Sequence, residues 1–192
     1  MSLDNQQGSD RRMIRLNLYL TQVIILAVAL SLSLSLHGLA QNAAYFQIPS
    51  FSQIVWAVLI AIAVASCSMM LERLLPENWM DDGGINKFVF SLLSRKEIVL
   101  LCFLVGLCEE WLFRGGLQPL IGNGWTSTVF TLLHIRYIKK PVLFIGVFAI
   151  SYVLGMLFDA SGGLIVPVAA HALIDLIQAL YLKQRMKKER MT

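Results

Sequence analysis

The sequence predicts an all-α, polytopic membrane helix bundle, with about six transmembrane helices and one short amphipathic helix on the membrane surface. Three observations carry that expectation. Hydrophobic residues make up 57% of the 192 residues and charged residues 15%, against about 45–50% and about 25% in an average soluble domain. The apolar residues gather into runs of bilayer length, and the Lys and Arg residues fall almost entirely between alternate runs. A chain this short cannot hide so much apolar surface from water, so the excess faces lipid. This argues against a disordered chain and against a soluble α/β enzyme. The net charge of +4 does not point to nucleic acid, because the basic residues form no single face. Residues 1–192 read as one membrane domain with the lipid bilayer as its main partner.

Crossing about 30 Å of hydrocarbon takes roughly 20 apolar residues. Six segments qualify or come close: residues 16–36, 51–71, 98–120, 125–138, 142–158 and 164–182. The fourth is short, about 21 Å as a helix, which is tolerated where its ends are buried in protein or face a cavity. The first follows Arg11, Arg12 and Arg15 and precedes Gly38-Leu39-Ala40. Its apolar run exceeds the roughly 7–15 residues of a signal peptide, so it reads as a span. The three cysteines, Cys67, Cys102 and Cys108, sit in apolar runs without metal-type spacing and read as small hydrophobes.

Charge sets the orientation. With the N-terminus in the cytoplasm, the inner segments hold Arg11, Arg12 and Arg15; Arg73, Lys87, Arg95 and Lys96; Arg136, Lys139 and Lys140; and Lys183, Arg185, Lys187, Lys188 and Arg190. Every Lys and Arg but Arg114 is in that set. The positive-inside rule then places both termini of a multi-pass cell-membrane protein in the cytoplasm. Within the loop between spans two and three, Asp81-Asp82-Gly83-Gly84 is a breaker. Ile85, Phe88, Val89, Leu92 and Leu93 follow at helical spacing, which makes the surface amphipathic helix. The basic tail from Lys183 continues the sixth helix as a topology anchor.

Ionisable side chains within hydrocarbon are costly, and each marks a candidate site. They are Glu109, Glu110 and Arg114 in span three, His134 in span four, and His171 and Asp175 in span six. His37 and Asp159 fall at span ends and read as interfacial. Counted from the outer ends, Glu109, His134 and His171 lie about 16, 13 and 10 Å deep, within about a helical turn of one another. Each pair alone has an ordinary structural reading, but three helices converging at one depth do not. Glu110 and Arg114 are i, i+4, so Glu110 is expected to neutralise Arg114 while Glu109, rotated by about 100°, faces the histidines. Phe130 and His134, and His171 and Asp175, share the same spacing. Gly115, Gly116, Gly162 and Gly163 permit close helix approach.

One carboxylate and two imidazoles can activate water, the carboxylate taking its proton and histidine stabilising developing charge. The same Glu109, His134 and His171 could instead hold zinc as a His₂Glu set. No H-E-x-x-H supports the zincin route, and a metal-free site is favoured.

These residues resemble a known family. Glu109-Glu110-Trp111-Leu112-Phe113-Arg114 fits E-E-x-x-x-R, Phe130-Thr131-Leu132-Leu133-His134 fits F-x-x-x-H, and His171-Ala172-Leu173-Ile174-Asp175 fits H-x-x-x-[N/D]. In that order on successive membrane helices they resemble the CPBP (CAAX protease and bacteriocin-processing, also called Abi) intramembrane proteases, over residues 98–182. The resemblance implies a membrane endopeptidase acting on a membrane-associated protein or peptide. Glu109 would be the general base, assisted by His134, with His171 and Asp175 supporting the oxyanion. Glu110, Arg114 and Phe130 would be structural or substrate-orienting. The family has been described both as glutamate-dependent and as metal-dependent. The first two spans carry none of the resemblance. The competing readings are a non-catalytic scaffold or bacteriocin-immunity protein on the same fold, and a small proton-relaying transporter. The latter is disfavoured because the ionisable residues all sit in the second half.

Overall fold

The computed structural model describes residues 3–189, with side chains described for 12–76 and 78–189. Two of the basic residues counted above, Arg11 and Arg190, fall outside the described side chains. Among the described residues every regular element is helical: α1 (Leu3–Ala44), α2 (Phe51–Leu74), α3 (Glu77–Met80), α4 (Ile85–Leu92), α5 (Arg95–Glu110), a π-helix (Trp111–Leu117), α6 (Gln118–Leu133), a 3₁₀ turn (Ile135–Tyr137), α7 (Pro141–Ser161) and α8 (Ile165–Glu189). Among the described residues four helices are long and apolar enough to cross a membrane: Arg12–Ala44, Phe51–Leu74, Pro141–Ser161 and Ile165–Glu189.

The expectation of six spans also needed 98–120 and 125–138, and these do not form as plain helices. The first changes to π geometry at Trp111. The second is joined to it through a non-helical Gly122, φ 75°. The helix ends at Leu133 rather than near Ile138, because His134 leaves helical geometry (φ −80°, ψ 55°) and Pro141 starts the next helix. The segments that depart from regular helix are those that carry the polar residues.

Local sequence sets most boundaries. Ser50 and Ser94 each start a helix with a capping box, their hydroxyls accepting from the Gln53 and Glu97 amides while those side chains accept from the serine amides. Asp81 and Asp82 accept from the Gly83 and Gly84 amides at 2.9 and 3.0 Å, and Asp82 also from Asn86. The breaker is thus a pair of carboxylate-held turns feeding α4.

The expected surface helix forms, and its apolar residues divide. Leu93 is buried with Ile98, Leu101, Cys102 and Ala179, whereas Ile85 and Phe88 stay about half exposed. Lys183 donates to the Phe90 and Leu93 carbonyls, and so holds the C-terminal end of α4. Arg15 donates to Leu92 O (2.6 Å) and pairs with Glu97, Lys140 donates to Asn78 O (3.0 Å), and Arg185 pairs with Glu72. The basic segments therefore meet at one end of the bundle. His37, Gln41, Pro119, Phe158 and Asp159 meet at the other, around a cavity of about 420 Å³.

Small residues bring the helices together. Ala57, Ala61 and Ala65 form a buried stripe on α2, and the first two pack with Leu154, Leu157, Val166, Ala170 and Ile174 of α7 and α8. A Cβ on Gly106 would lie 3.2 Å from Ala172 N and Val168 O. α5 can therefore approach the backbone of α8 beside His171, and Glu110, one turn on, can reach across to it. The cysteines are free, with Cys102 and Cys108 buried.

Candidate active site

Glu110 is the hub. It is fully buried, and its two oxygens divide: Oε2 lies 3.1 Å from Arg114 Nε, and Oε1 lies 2.8 Å from His171 Nδ1. The expected pairing with Arg114 forms. The expected division of labour does not, because Glu110 rather than Glu109 bonds a histidine. Since Arg114 holds Glu110 as an anion, which only accepts, Nδ1 of His171 carries the hydrogen. Nε2 of His171 faces Asp175 Oδ2 at 3.6 Å, too long for a hydrogen bond. Arg114 is fully buried and its Nη2 donates to the carbonyl (2.6 Å) and hydroxyl (3.0 Å) of Ser151 on α7.

Phe130 is the apolar centre. Its ring lies 4.8 Å from that of Phe113, 4.7 Å from His134 and 6.4 Å from His171, and the Arg114 guanidinium sits 5.5 Å from its centroid. That distance is within cation–π range. One ring thus joins π-helix, α6 and α8. His134 sits at the end of α6, where its Nδ1 lies 2.8 Å from Phe130 O. A carbonyl only accepts, so Nδ1–H donates, and in the neutral ring Nε2 then carries the lone pair. On the other side His134 stacks on Tyr137 at 6.0 Å. Glu109 is half-buried and makes no hydrogen bond or ion pair to a described residue, though it lies within electrostatic reach of His171 and Asp175.

Glu110 holds Nδ1 of His171 and leaves Nε2 of that ring open; among the described residues no three His, Cys, Asp or Glu side chains gather as a metal-ligand group.

The support for this cluster includes residues outside the motifs. Residues 111–117 wind as a π-helix, a geometry that frees carbonyls from the α pattern and is frequent at functional sites. Two of those carbonyls are met by α1: Ser33 Oγ lies 2.9 Å from Gly115 O and His37 Nε2 donates to Gly116 O at 3.0 Å. α1 bends at Gly38, φ 72°, and this brings Asn42 back. Its amide donates to Ser33 O and Gly38 O, and its oxygen accepts from Ser33 Oγ and Trp111 Nε1. A Cβ on Gly116 would crowd Leu32 at 3.2 Å, and one on Gly163 would crowd Tyr45 O at 2.8 Å. Gly162 instead supplies a left-handed cap, φ 70°.

The first span carries none of the resemblance, yet it supports the site. Ser33, His37 and Asn42 hold the segment that carries Arg114, and Asp159, exposed near the end of α7, accepts from Gln118 at 2.7 Å. Nothing in the order of α1 residues marked them; the only hint was polar Ser and Asn within an apolar helix. Asn42→Ala is expected to destabilise the protein by at least about 1–3 kcal/mol, since it strands buried partners. A lowered thermal midpoint in detergent would register that loss.

Residues 89–177 match the family model described as Type II CAAX prenyl endopeptidase Rce1-like. The uncharacterized protein YpbD of Bacillus subtilis (strain 168) is 42% identical over 132 residues, which is 68% of this chain and 70% of that protein. No solved structure matches. The matched region holds Glu109, Glu110, Arg114, Phe130, His134, His171 and Asp175 together, and the chain, a multi-pass membrane protein, belongs to the type II CAAX prenyl endopeptidase Rce1-like family.

Proposed function

We propose that this chain is an intramembrane endopeptidase that hydrolyses a peptide bond of a membrane-associated protein or peptide substrate. One observation carries the reading. Beside the Glu110–Arg114 and Glu110–His171 pairs, the Glu109 carboxylate and the His134 Nε2 make no hydrogen bond or ion pair to a described residue. Those are the two acceptors that a nucleophilic water needs. Glu109 takes a proton from water, and Nε2 of His134 accepts the second hydrogen and aims the oxygen at the scissile carbonyl. As an imidazolium, His171 donates Nδ1–H to Glu110 and turns Nε2–H toward the developing oxyanion, with Asp175 balancing its charge. Glu109 then returns its proton to the leaving amine. No step requires a metal.

The test is hydrolysis of membrane-anchored peptides, including prenylated C-terminal ones, by the purified full chain in nanodiscs, run in ¹⁸O-water. Each cut should place one ¹⁸O in the new carboxylate. Asp175→Asn keeps the shape of a group that lies 3.6 Å from His171 Nε2, beyond hydrogen-bond range, so a loss of about tenfold or less, about 1.4 kcal/mol, is expected. Phenanthroline should leave the rate unchanged. Stoichiometric zinc in the wild type, together with a dead, zinc-depleted Asn variant, would overturn the metal-free mechanism. If Asp175 anchored a zinc-bound His171, its loss would weaken metal binding roughly 10–100-fold.

The basic end of the bundle is the cytoplasmic one in this proposal. Asn42 is buried and so a poor probe of sidedness, whereas Gln47 and Lys96 are exposed at opposite ends. An impermeant thiol reagent applied to intact cells should label Gln47→Cys and spare Lys96→Cys. The reverse pattern would invert the topology.

A further inference from the structure

A polar seam runs between the π-helix–α6 segment and α7, and the mechanism above does not use it. On α7, Ser151, Gly155 and Asp159 recur at i, i+4, i+8, which places them on one face. Opposite them, Arg114 donates to Ser151, and the Gln118 amide donates to Gly155 O (3.0 Å) and Asp159 Oδ1 (2.7 Å). Asn123 donates to Tyr152 O at 2.9 Å and accepts from Ser127 at 3.1 Å. A Cβ at Gly155 would fall 1.9 Å from Asn123 Oδ1 and 2.7 Å from Gln118 Oε1. Two amide side chains thus take the space that a Cβ at position 155 would fill.

Gln118 Oε1 and Arg114 Nη1 in this seam, and Thr126 Oγ1 on α6 next to Ser127 in the chain, have no hydrogen-bond partner among the described residues. Gln118 is 4% exposed, and Thr126 and Arg114 0%. Buried groups of this kind cost about 1–3 kcal/mol each when left unmade, and internal water is the usual partner in a polar space. At its far end the seam reaches Asp159, which lines the cavity of about 420 Å³ with His37 and Gln41.

We propose that the α6–α7 seam binds a file of internal water molecules that joins the cavity at the Pro119 end to the buried Arg114–Glu110–His171 cluster. Gln118 Oε1 and Thr126 Oγ1 accept from the waters, and Arg114 Nη1 donates to the innermost one. Water consumed by hydrolysis is then replaced along the seam. That use rests on the endopeptidase reading; the hydration does not.

Hydroxyl-radical footprinting by synchrotron radiolysis reads the hydration directly, because ordered water beside a side chain generates the radical that oxidises it. In the full chain in nanodiscs, Thr126→Cys should place at position 126 a thiol that oxidises at least tenfold faster than Cys102, which is buried among Leu93, Ile98, Leu101 and Ala179. Ser127→Cys, at another fully buried seam position, should give the same result and serves if Thr126→Cys misfolds. Adding Gln118→Leu should slow the oxidation at least fivefold. Rates equal to that of Cys102 would show the seam to be dry. A fast rate untouched by Gln118→Leu would overturn the connection through Gln118. Neither readout depends on proteolysis.

Discussion

Replacing Glu109 with Gln is expected to lower peptide-bond hydrolysis by about 10²–10⁴-fold, the contribution typical of a positioned general base. The thermal midpoint should not move. Glu109 makes no hydrogen bond or ion pair to a described residue and is only half-buried, so the amide strands nothing. The combination is diagnostic, since most residues that cost activity within a packed bundle also cost stability. Turnover assays and thermal scans of one preparation provide both readings. Full activity in Glu109→Gln, on any substrate that the wild type cuts, would remove Glu109 as the base.

The opposite profile is expected one residue later. Glu110→Ala leaves the Arg114 Nε without its carboxylate and His171 Nδ1 without its acceptor, both in buried positions. Breaking a buried pair by removing one partner costs about 3–5 kcal/mol. Arg114→Ala should cost a similar amount, because it strands the Glu110 charge and two bonds to Ser151. Purified yield and thermal midpoint should both fall before any question of turnover arises. An unchanged midpoint in either variant would mean that the pair does not hold the helices together. Neighbouring glutamates of the same motif thus separate cleanly, one by rate and one by stability.

Much of this was legible in the sequence. Apolar runs and charge asymmetry are averages over many residues, and they located the four long spans and the surface helix. The spacing of Glu110 to Arg114 and of His171 to Asp175 is a local helical property, and both pairs meet as the spacing requires. The division between Glu109 and Glu110 was misread because it depends on where α8 lies. Both carboxylates sit on the same turn, and only the close approach at Gly106 decides which of them His171 meets. The π-helix was illegible for a similar reason. A chain of Trp, Leu, Phe, Arg and Gly has no intrinsic preference for i→i+5 bonding, and the geometry stands because α1 meets the Gly115 and Gly116 carbonyls. His134 was placed within a helix; its departure from helical angles follows from the turn toward Pro141.

The clasp of α1 on the π-helix also bears on the order of assembly. α1 is synthesised some seventy residues before Gly115 and Gly116, so Ser33, His37 and Asn42 are already in the bilayer when those glycines emerge from the ribosome. In lipid, a backbone carbonyl without a partner costs several kcal/mol. The waiting helix therefore acts as a template on which the later segment takes its unusual winding. A fragment restricted to the family-matched residues 89–177 would carry every motif and lack the mould. Supplying residues 1–50 as a separate chain is the physical equivalent of returning it.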